Sequence, residues 1–356
     1  MRILSLCGAA ALALAALAAP IVASAQEAQP DDLVNALNGV FGKHAGKRAA
    51  HSKGICVKGS FTPTAEAATF SKAPHFASAV PVTARFSLGG GNPVASDKQK
   101  DNTRGLAVHF DLGKGSTTDL VMISAPVFVA KTSEQFLALL KTVAPGPDGK
   151  QDADKIAAFF KANPESTRQG AWLNARPVPA SYASAEYFGV HAFTLVNGKG
   201  DKHVIKWRVA PVKGEPGLSD EDAKNKGDDF YAAELKDRLA KGPTEFDIYA
   251  IFGEPGDPED DPTAEWPEGR KEVKMGTLSI SALEADATCD AGIFDPNNLV
   301  DGIEAPKSDK QGPADALARL RGLLRPAPDQ LSRASSRNGA ARSRARPAPG
   351  RSRWQR

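Results

Sequence analysis

A chain of 356 residues, 41% hydrophobic and 7% aromatic, is long enough for one large domain or two small ones, and its 26 prolines and 32 glycines suit a strand-and-loop fold better than a helical bundle. The formal charge of +3 hides an asymmetry: from Arg319 onward there are eleven arginines, no lysine and one acid, which leaves residues 1–318 at −7. A mildly acidic body gives no reason to expect nucleic-acid binding.

The N-terminus reads as a targeting segment. Arg2 precedes an apolar Leu/Ala run from Ile3 to Ala19, and Ala23-Ser24-Ala25 before Gln26 is an Ala-x-Ala cleavage pattern. Residues 1–25 are therefore expected to be a signal peptide that sends the chain to the periplasm or outside the cell. A single-span anchor is the alternative, and membrane association is expected only if the segment stays uncleaved. Cleavage leaves two cysteines, Cys56 and Cys289. In an oxidising compartment they can pair, and two unpaired residues fit the sequence as well. No Cys/His spacing suggests zinc.

Residues 31–46 form an amphipathic segment, with Leu33, Leu37, Val40 and Phe41 on one helical face. Strand-like runs follow at Pro81–Leu88, Gly105–Leu112, Asp119–Ile123, Tyr187–Val196, His203–Val212, Glu245–Phe252 and Val273–Ser281. Several alternate with period two, as in Thr83-Ala84-Arg85-Phe86-Ser87 and Glu245-Phe246-Asp247-Ile248. Helical stretches lie between them: Ser133–Val143, with Ser133 as N-cap, then Asp152–Ala162 and Asp228–Ala240. The pattern predicts an α+β fold, an antiparallel barrel or sheet with helical decorations. Gly89-Gly90-Gly91 is a loop cluster, not a dinucleotide fingerprint, and no internal repeat is present. The Arg/Ala/Pro/Ser-rich stretch 319–356 is expected to be disordered.

Five blocks carry the chemistry. They are Arg48-Ala49-Ala50-His51-Ser52-Lys53-Gly54 with Gly59-Ser60-Phe61; Ala84-Arg85-Phe86-Ser87; Arg104-Gly105-Leu106-Ala107-Val108-His109-Phe110 leading to Asp119-Leu120-Val121 and Ala125-Pro126-Val127-Phe128; Gly189-Val190-His191-Ala192-Phe193; and Phe294-Asp295-Pro296 through Glu304. In this order and spacing they resemble the core of the catalase superfamily, in its small form, the catalase-related peroxidases. The resemblance runs from about Arg48 to Glu304, and the domain it implies spans residues 26–318.

It implies a catalase-like barrel of about eight strands with a haem pocket beside it. The implied cofactor is haem b. Peroxide, hydrogen peroxide or organic, is reduced at the expense of an external organic donor, in a response to oxidative stress. His51 matches the distal acid–base histidine and Ser87 the serine that orients it. Arg48 and Arg85 match arginines that grip the haem propionates, since a guanidinium holds a carboxylate bidentately and keeps its charge. Phe128 and Phe136 match aromatics lining the haem and its access route, and His191 a haem-side histidine.

Two departures qualify the resemblance. A distal asparagine that helps position peroxide is replaced by Ile123, or by Ser124 if the register slips, which favours peroxidase over true catalase activity. The family's proximal tyrosinate, in Arg-x-x-x-Tyr, is missing: Arg319 stands where the arginine belongs, but position 323 is leucine. An Arg/Pro/Ala tail is what a GC-rich gene read out of frame yields, and a one-base shift after Arg319 can restore Arg-x-x-x-Tyr. A real basic tail that binds anionic lipid or polymer is the other explanation. Three functions follow as expectations: a peroxidase, a catalytically impaired haem carrier or haem-free barrel, and an isomerase of fatty-acid hydroperoxides.

Overall fold

The computed structural model describes residues 28–305, apart from 215, 216, 291 and 293. The leader, Arg319 and the basic tail lie outside the described residues.

In chain order, helix α1 (Pro30–Phe41) leads into strand β1 (Gly54–Pro63), the short helix α2 (Ala67–Phe70), and strands β2 (Val80–Leu88), β3 (Arg104–Asp111) and β4 (Thr117–Ile123). A helical insertion follows: α3 (Ser133–Val143), α4 (Ala153–Ala162) and α5 (Arg168–Asn174), then the two-residue strand β5 (Val178–Pro179). The second half contains β6 (Tyr187–Val196), β7 (Lys202–Pro211), β8 (Gly217–Leu218), α6 (Asp220–Asn225), α7 (Phe230–Leu239), β9 (Thr244–Phe252), β10 (Glu272–Leu283), α8 (Asp286–Asp290) and β11 (Ile303–Glu304).

The large strands run β6-β4-β3-β2-β1-β10-β9-β7, and β7 pairs again with β6. That last pairing closes eight antiparallel strands into a barrel and leaves no open edge. Inward-facing residues at period two fill it: Phe61, Phe86, Leu106, Tyr187, Leu195, Ile205, Phe246 and Ile280 are all buried in one core. Glu245-Phe246-Asp247-Ile248 alternates as expected, with Phe246 and Ile248 inside.

The sequence reading misses β1. A register shift at Lys58/Gly59 breaks its period-two pattern against β10. Three helix boundaries also differ from expectation. The first helix stops at Phe41 because Gly42, at φ +81°, turns the chain out of the helix. The third-helix N-cap is Thr132, whose extended backbone lets its hydroxyl accept the Gln135 N–H; Ser133 lies inside the helix. The helix expected from Asp228 begins at Phe230, where the buried Asp97 carboxylate accepts the Tyr231 N–H.

Candidate functional site

The barrel register aligns a row of outward-facing residues. Gly54 pairs with Ser87, Ser87 with Gly105, Gly105 with Ile123, and Ile123 with Phe188. His51, in the loop before β1, lies over this row. Its Nδ1 and the Ser87 Oγ share a hydrogen bond of 2.9 Å. The strand beneath must be glycine: a Cβ at position 105 would stand 2.5 Å from Ser87 Oγ and 2.9 Å from His51 Nδ1.

The loop carrying His51 is held tightly. His51 adopts φ +51°, a left-handed backbone that costs energy for any residue but glycine. Arg85, one row along β2, pins it: its Nη1 donates to the His51 carbonyl at 2.8 Å and its Nη2 to the Ser52 carbonyl at 3.2 Å. The Ser52 N–H donates to Gly90, which gives the loop glycines a structural role. Simple alternation places Arg85 and Ser87 on the outer face of β2, yet both are buried there beneath this loop.

Arg48 is also buried. It donates from Nη2 to the Cys289 carbonyl at 2.6 Å and forms an ion pair of 3.3 Å with Asp290. Its Nε has no partner among the described residues. Burial, with the Arg85 and Arg48 charges nearby, lowers the His51 pKa to about 4. The imidazole is therefore neutral at physiological pH. Burial likewise lowers Arg85 to about 10, with Arg48 adding to it.

Cys56 and Cys289 form a disulfide with Cα atoms 5.8 Å apart. It fixes α8, which supplies Arg48's acceptors, to β1 beside Arg85. The sequence alone did not single out Asp290 or the Cys289 carbonyl. Their partner lies more than 240 positions away, and no local pattern announces such a contact.

Ile123 occupies the position beside Gly105, and Ser124 turns away: its hydroxyl accepts the Arg104 N–H at 2.9 Å. The residue facing His51's side of the sheet is thus the apolar one. Phe136 belongs to the small cluster around Leu33, Leu37 and Leu140 that also takes in Ala49 and Ala50, and Phe128 meets it with ring centroids 5.3 Å apart. His191 stands apart, in the irregular stretch of β6 between Gly189 and Phe193. Its buried Nδ1 has no partner among the described residues, and burial, followed by the Lys206 charge, lowers its pKa to about 3.

The donor set fits part of a haem. A neutral imidazole with its orienting serine suits the peroxide side, and Arg48, with an unpartnered Nε, suits a carboxylate. The iron's tyrosinate finds no match. The chain has four tyrosines, and all are described residues. Tyr187 donates to the Tyr182 carbonyl and Tyr231 to the Pro179 carbonyl. Burial raises the pKa of Tyr182 and Tyr187, and that of Tyr231 to about 12. All three belong to the barrel core. Tyr249 lies on an outer position of β9, with its hydroxyl toward Asp247. Among the described residues no cluster of three or more His, Cys, Asp or Glu forms a metal site.

Comparison with known proteins locates this arrangement. The catalase family model matches residues 33–310. A catalase-related peroxidase of Synechococcus elongatus is 38% identical over 279 residues, covering 77% of this chain and 82% of the relative. One of Mycolicibacterium paratuberculosis is 37% identical over 282 residues, covering 77% and 88%. Among solved structures, catalase A from Saccharomyces cerevisiae superposes with a TM-score of 0.68 at 21% identity, over 78% of this chain and 60% of that one. The chain thus spans about three-fifths of that structure's length.

Proposed function

The chain belongs to the catalase family and is an oxidoreductase acting on peroxide, and from that premise we propose that it is a haem b peroxidase reducing hydrogen peroxide or small organic peroxides with an external organic donor. The observation that carries this reading is the buried, neutral His51 bonded to Ser87, beside Arg85 and Arg48.

Catalases bind haem, and when bound it supplies the iron at which the peroxide O–O bond is cleaved. The chain's own residues handle protons and orientation. With Nδ1–H donating to Ser87 Oγ, His51 presents the Nε2 lone pair to the pocket. It would take a proton from one peroxide oxygen and return it to the other as the O–O bond breaks. Ser87 fixes tautomer and ring angle, and Arg85 fixes the backbone of the same residue. Arg48, with its unpartnered Nε, and Arg85 would hold the propionates. Phe128 and Phe136 wall the approach.

Ile123 leaves the peroxide without the amide a catalase offers. We infer weak disproportionation of hydrogen peroxide, because one polar interaction that strengthens in the transition state is missing. The leader-like N-terminus and the Cys56–Cys289 disulfide both support export to the periplasm or beyond.

Titration of the purified chain with haem tests the reading. A Soret band should appear, and His51→Ala should keep the band while losing peroxidase turnover by roughly 10²–10⁴-fold. A folded chain that stays colourless refutes it and favours the second reading, a haem-free or impaired barrel. The observation behind that alternative is specific: no tyrosine of the chain offers a phenolate to iron.

A further inference from the structure

We propose that the groove between α5 and the C-terminal end of β4 is the subsite for the reducing co-substrate, and that it takes an aromatic carboxylate such as a phenolic acid. The inference rests on the peroxidase reading and names the donor class that reading leaves open.

The groove encloses about 330 Å³. Trp172, Leu173, Phe188 and Pro177 give it an apolar wall, and Arg176 and Lys100 give it cations. Trp172 meets Phe188 edge to face, with centroids 5.8 Å apart and planes at 86°. The Arg176 guanidinium lies 3.1 Å from the Trp172 ring centroid, and its Nη1 donates to the Trp172 carbonyl at 3.2 Å. That cation is therefore held over the indole. The acid at the rim, Glu186, is paired with Arg208 at 3.0 Å, so the groove presents net positive charge. A flat ring suits the aromatic wall, and a carboxylate suits the fixed guanidinium.

The position matters as much as the lining. Ser124 lies in the groove and directly follows Ile123. Phe188, in the groove wall, pairs with Ile123, and Ile123 pairs with Gly105 beneath His51. Through Phe188 the groove meets the row that runs beneath His51, two strands from Gly105, while Ser124 borders it from the other face of the strand end. A donor seated there gives up its electron without entering the peroxide pocket, with Trp172 and Phe188 as the rings between. Two donors each lose one electron and one proton. The peroxide O–O bond breaks, and the peroxide takes those two electrons and two protons to become two waters. Tyr182, Tyr187 and Tyr231 are not on this path, since they are sealed in the core.

Ferulate is the probe. Calorimetric titration of the full chain with ferulate, with and without haem, should show one site. Arg176→Gln and Trp172→Ala should each weaken it roughly tenfold, a change typical of losing one charge-assisted or stacking contact. His51→Ala should leave ferulate affinity unaltered. In the haem-loaded protein, Arg176→Gln should raise the KM for ferulate and leave that for peroxide unchanged. Should Trp172→Ala fail to fold, Trp172→Phe keeps the wall, and its loss of kcat with retained affinity supports the relay. Ferulate bound with these dependences but never oxidised supports the subsite and refutes the peroxidase reading. Ferulate oxidised equally well by wild type and Arg176→Gln, or no binding at all, overturns the subsite.

Discussion

Gly105→Ala is the sharpest probe of the site, because one methyl group is enough to disturb it. The added Cβ would stand 2.5 Å from Ser87 Oγ, 2.9 Å from His51 Nδ1 and 3.1 Å from His51 Cε1. Comfortable contacts with carbon are about 3.5 Å, so hydroxyl and ring must each retreat by roughly half an ångström or more. The ring cannot simply follow its backbone away, because Arg85 holds the His51 and Ser52 carbonyls and the Ser52 N–H is bonded to Gly90. The hydrogen bond at 2.9 Å is what gives, and beyond 3.5 Å it ceases to count. Overpacking costs about 1–3 kcal/mol, against about 0.4–1 kcal/mol regained from a stiffer unfolded chain. The melting temperature should therefore fall by only a few degrees. Turnover should fall by about 10²-fold, the usual effect of misplacing a catalytic group by an ångström. The assay pairs a thermal melt with donor oxidation at saturating peroxide on haem-loaded protein. Turnover within twofold of wild type in a variant of unchanged stability would refute the packing of His51 on β3.

Three further outcomes follow from the same geometry. Ile123→Asn restores a polar group beside Gly105 and should raise oxygen release from hydrogen peroxide about tenfold or more relative to donor oxidation; an unchanged ratio on an oxygen electrode contradicts the role given to Ile123. Removing the disulfide with Cys56→Ser and Cys289→Ser opens a link across 233 positions, which loop entropy values at about 5 kcal/mol. A denaturant titration showing a loss below about 1 kcal/mol would mean that α8 stays in place without it. Burial lowers His51 and His75 to about 4 and, with the Lys206 charge, His191 to about 3, so the unfolded chain binds more protons than the folded one between those values and about 6.5. Their contribution is complete above pH 6.5 and is lost as pH falls toward 4, by up to about 1.4 kcal/mol per unit for each histidine. His109, raised chiefly by its hydrogen bond to Asp119, works in the opposite sense: its contribution is present below its unfolded pKa and is lost as pH rises through the folded one. Urea titrations between pH 4 and 7 should show stability falling with acid, and a rise would refute the burial of the three.

How much of this was legible in the sequence depends on how local each signal is. Seven of the eight barrel strands show themselves as strand-like runs, several by apolar alternation, because inward residues such as Phe246 and Ile248 face the core. The eighth, β1, is hidden by its bulge at Gly59. The barrel closure between β6 and β7 is a hairpin like any other until β4 is seen to pair with β6 as well. At the site, His51, Ser87, Arg48 and Arg85 are recognisable from their flanking blocks, but what each touches is not. Arg85 reads as a propionate partner, and what the structure shows it doing is clamping the histidine's own backbone. Gly105 carries no side chain to attract notice, yet the 2.9 Å bond depends on its emptiness.

The proximal side shows the reverse relation between sequence and structure. Leu323 in place of tyrosine is plain from the sequence, and the remaining question is whether another tyrosine substitutes. A phenol becomes a ligand only as its anion, and the anion needs a nearby cation or open solvent. Tyr182 and Tyr187 are pushed the other way by burial, and Tyr231 to about 12 despite Arg104 beside it. Substituting any of the three would disturb the barrel core before it touched a cofactor. These three phenols are thus poor ligands for iron, and Tyr249 stands on an outer position of β9 with its hydroxyl toward Asp247, so the absorption spectrum of the chain titrated with haem should lack the character that tyrosinate ligation imposes.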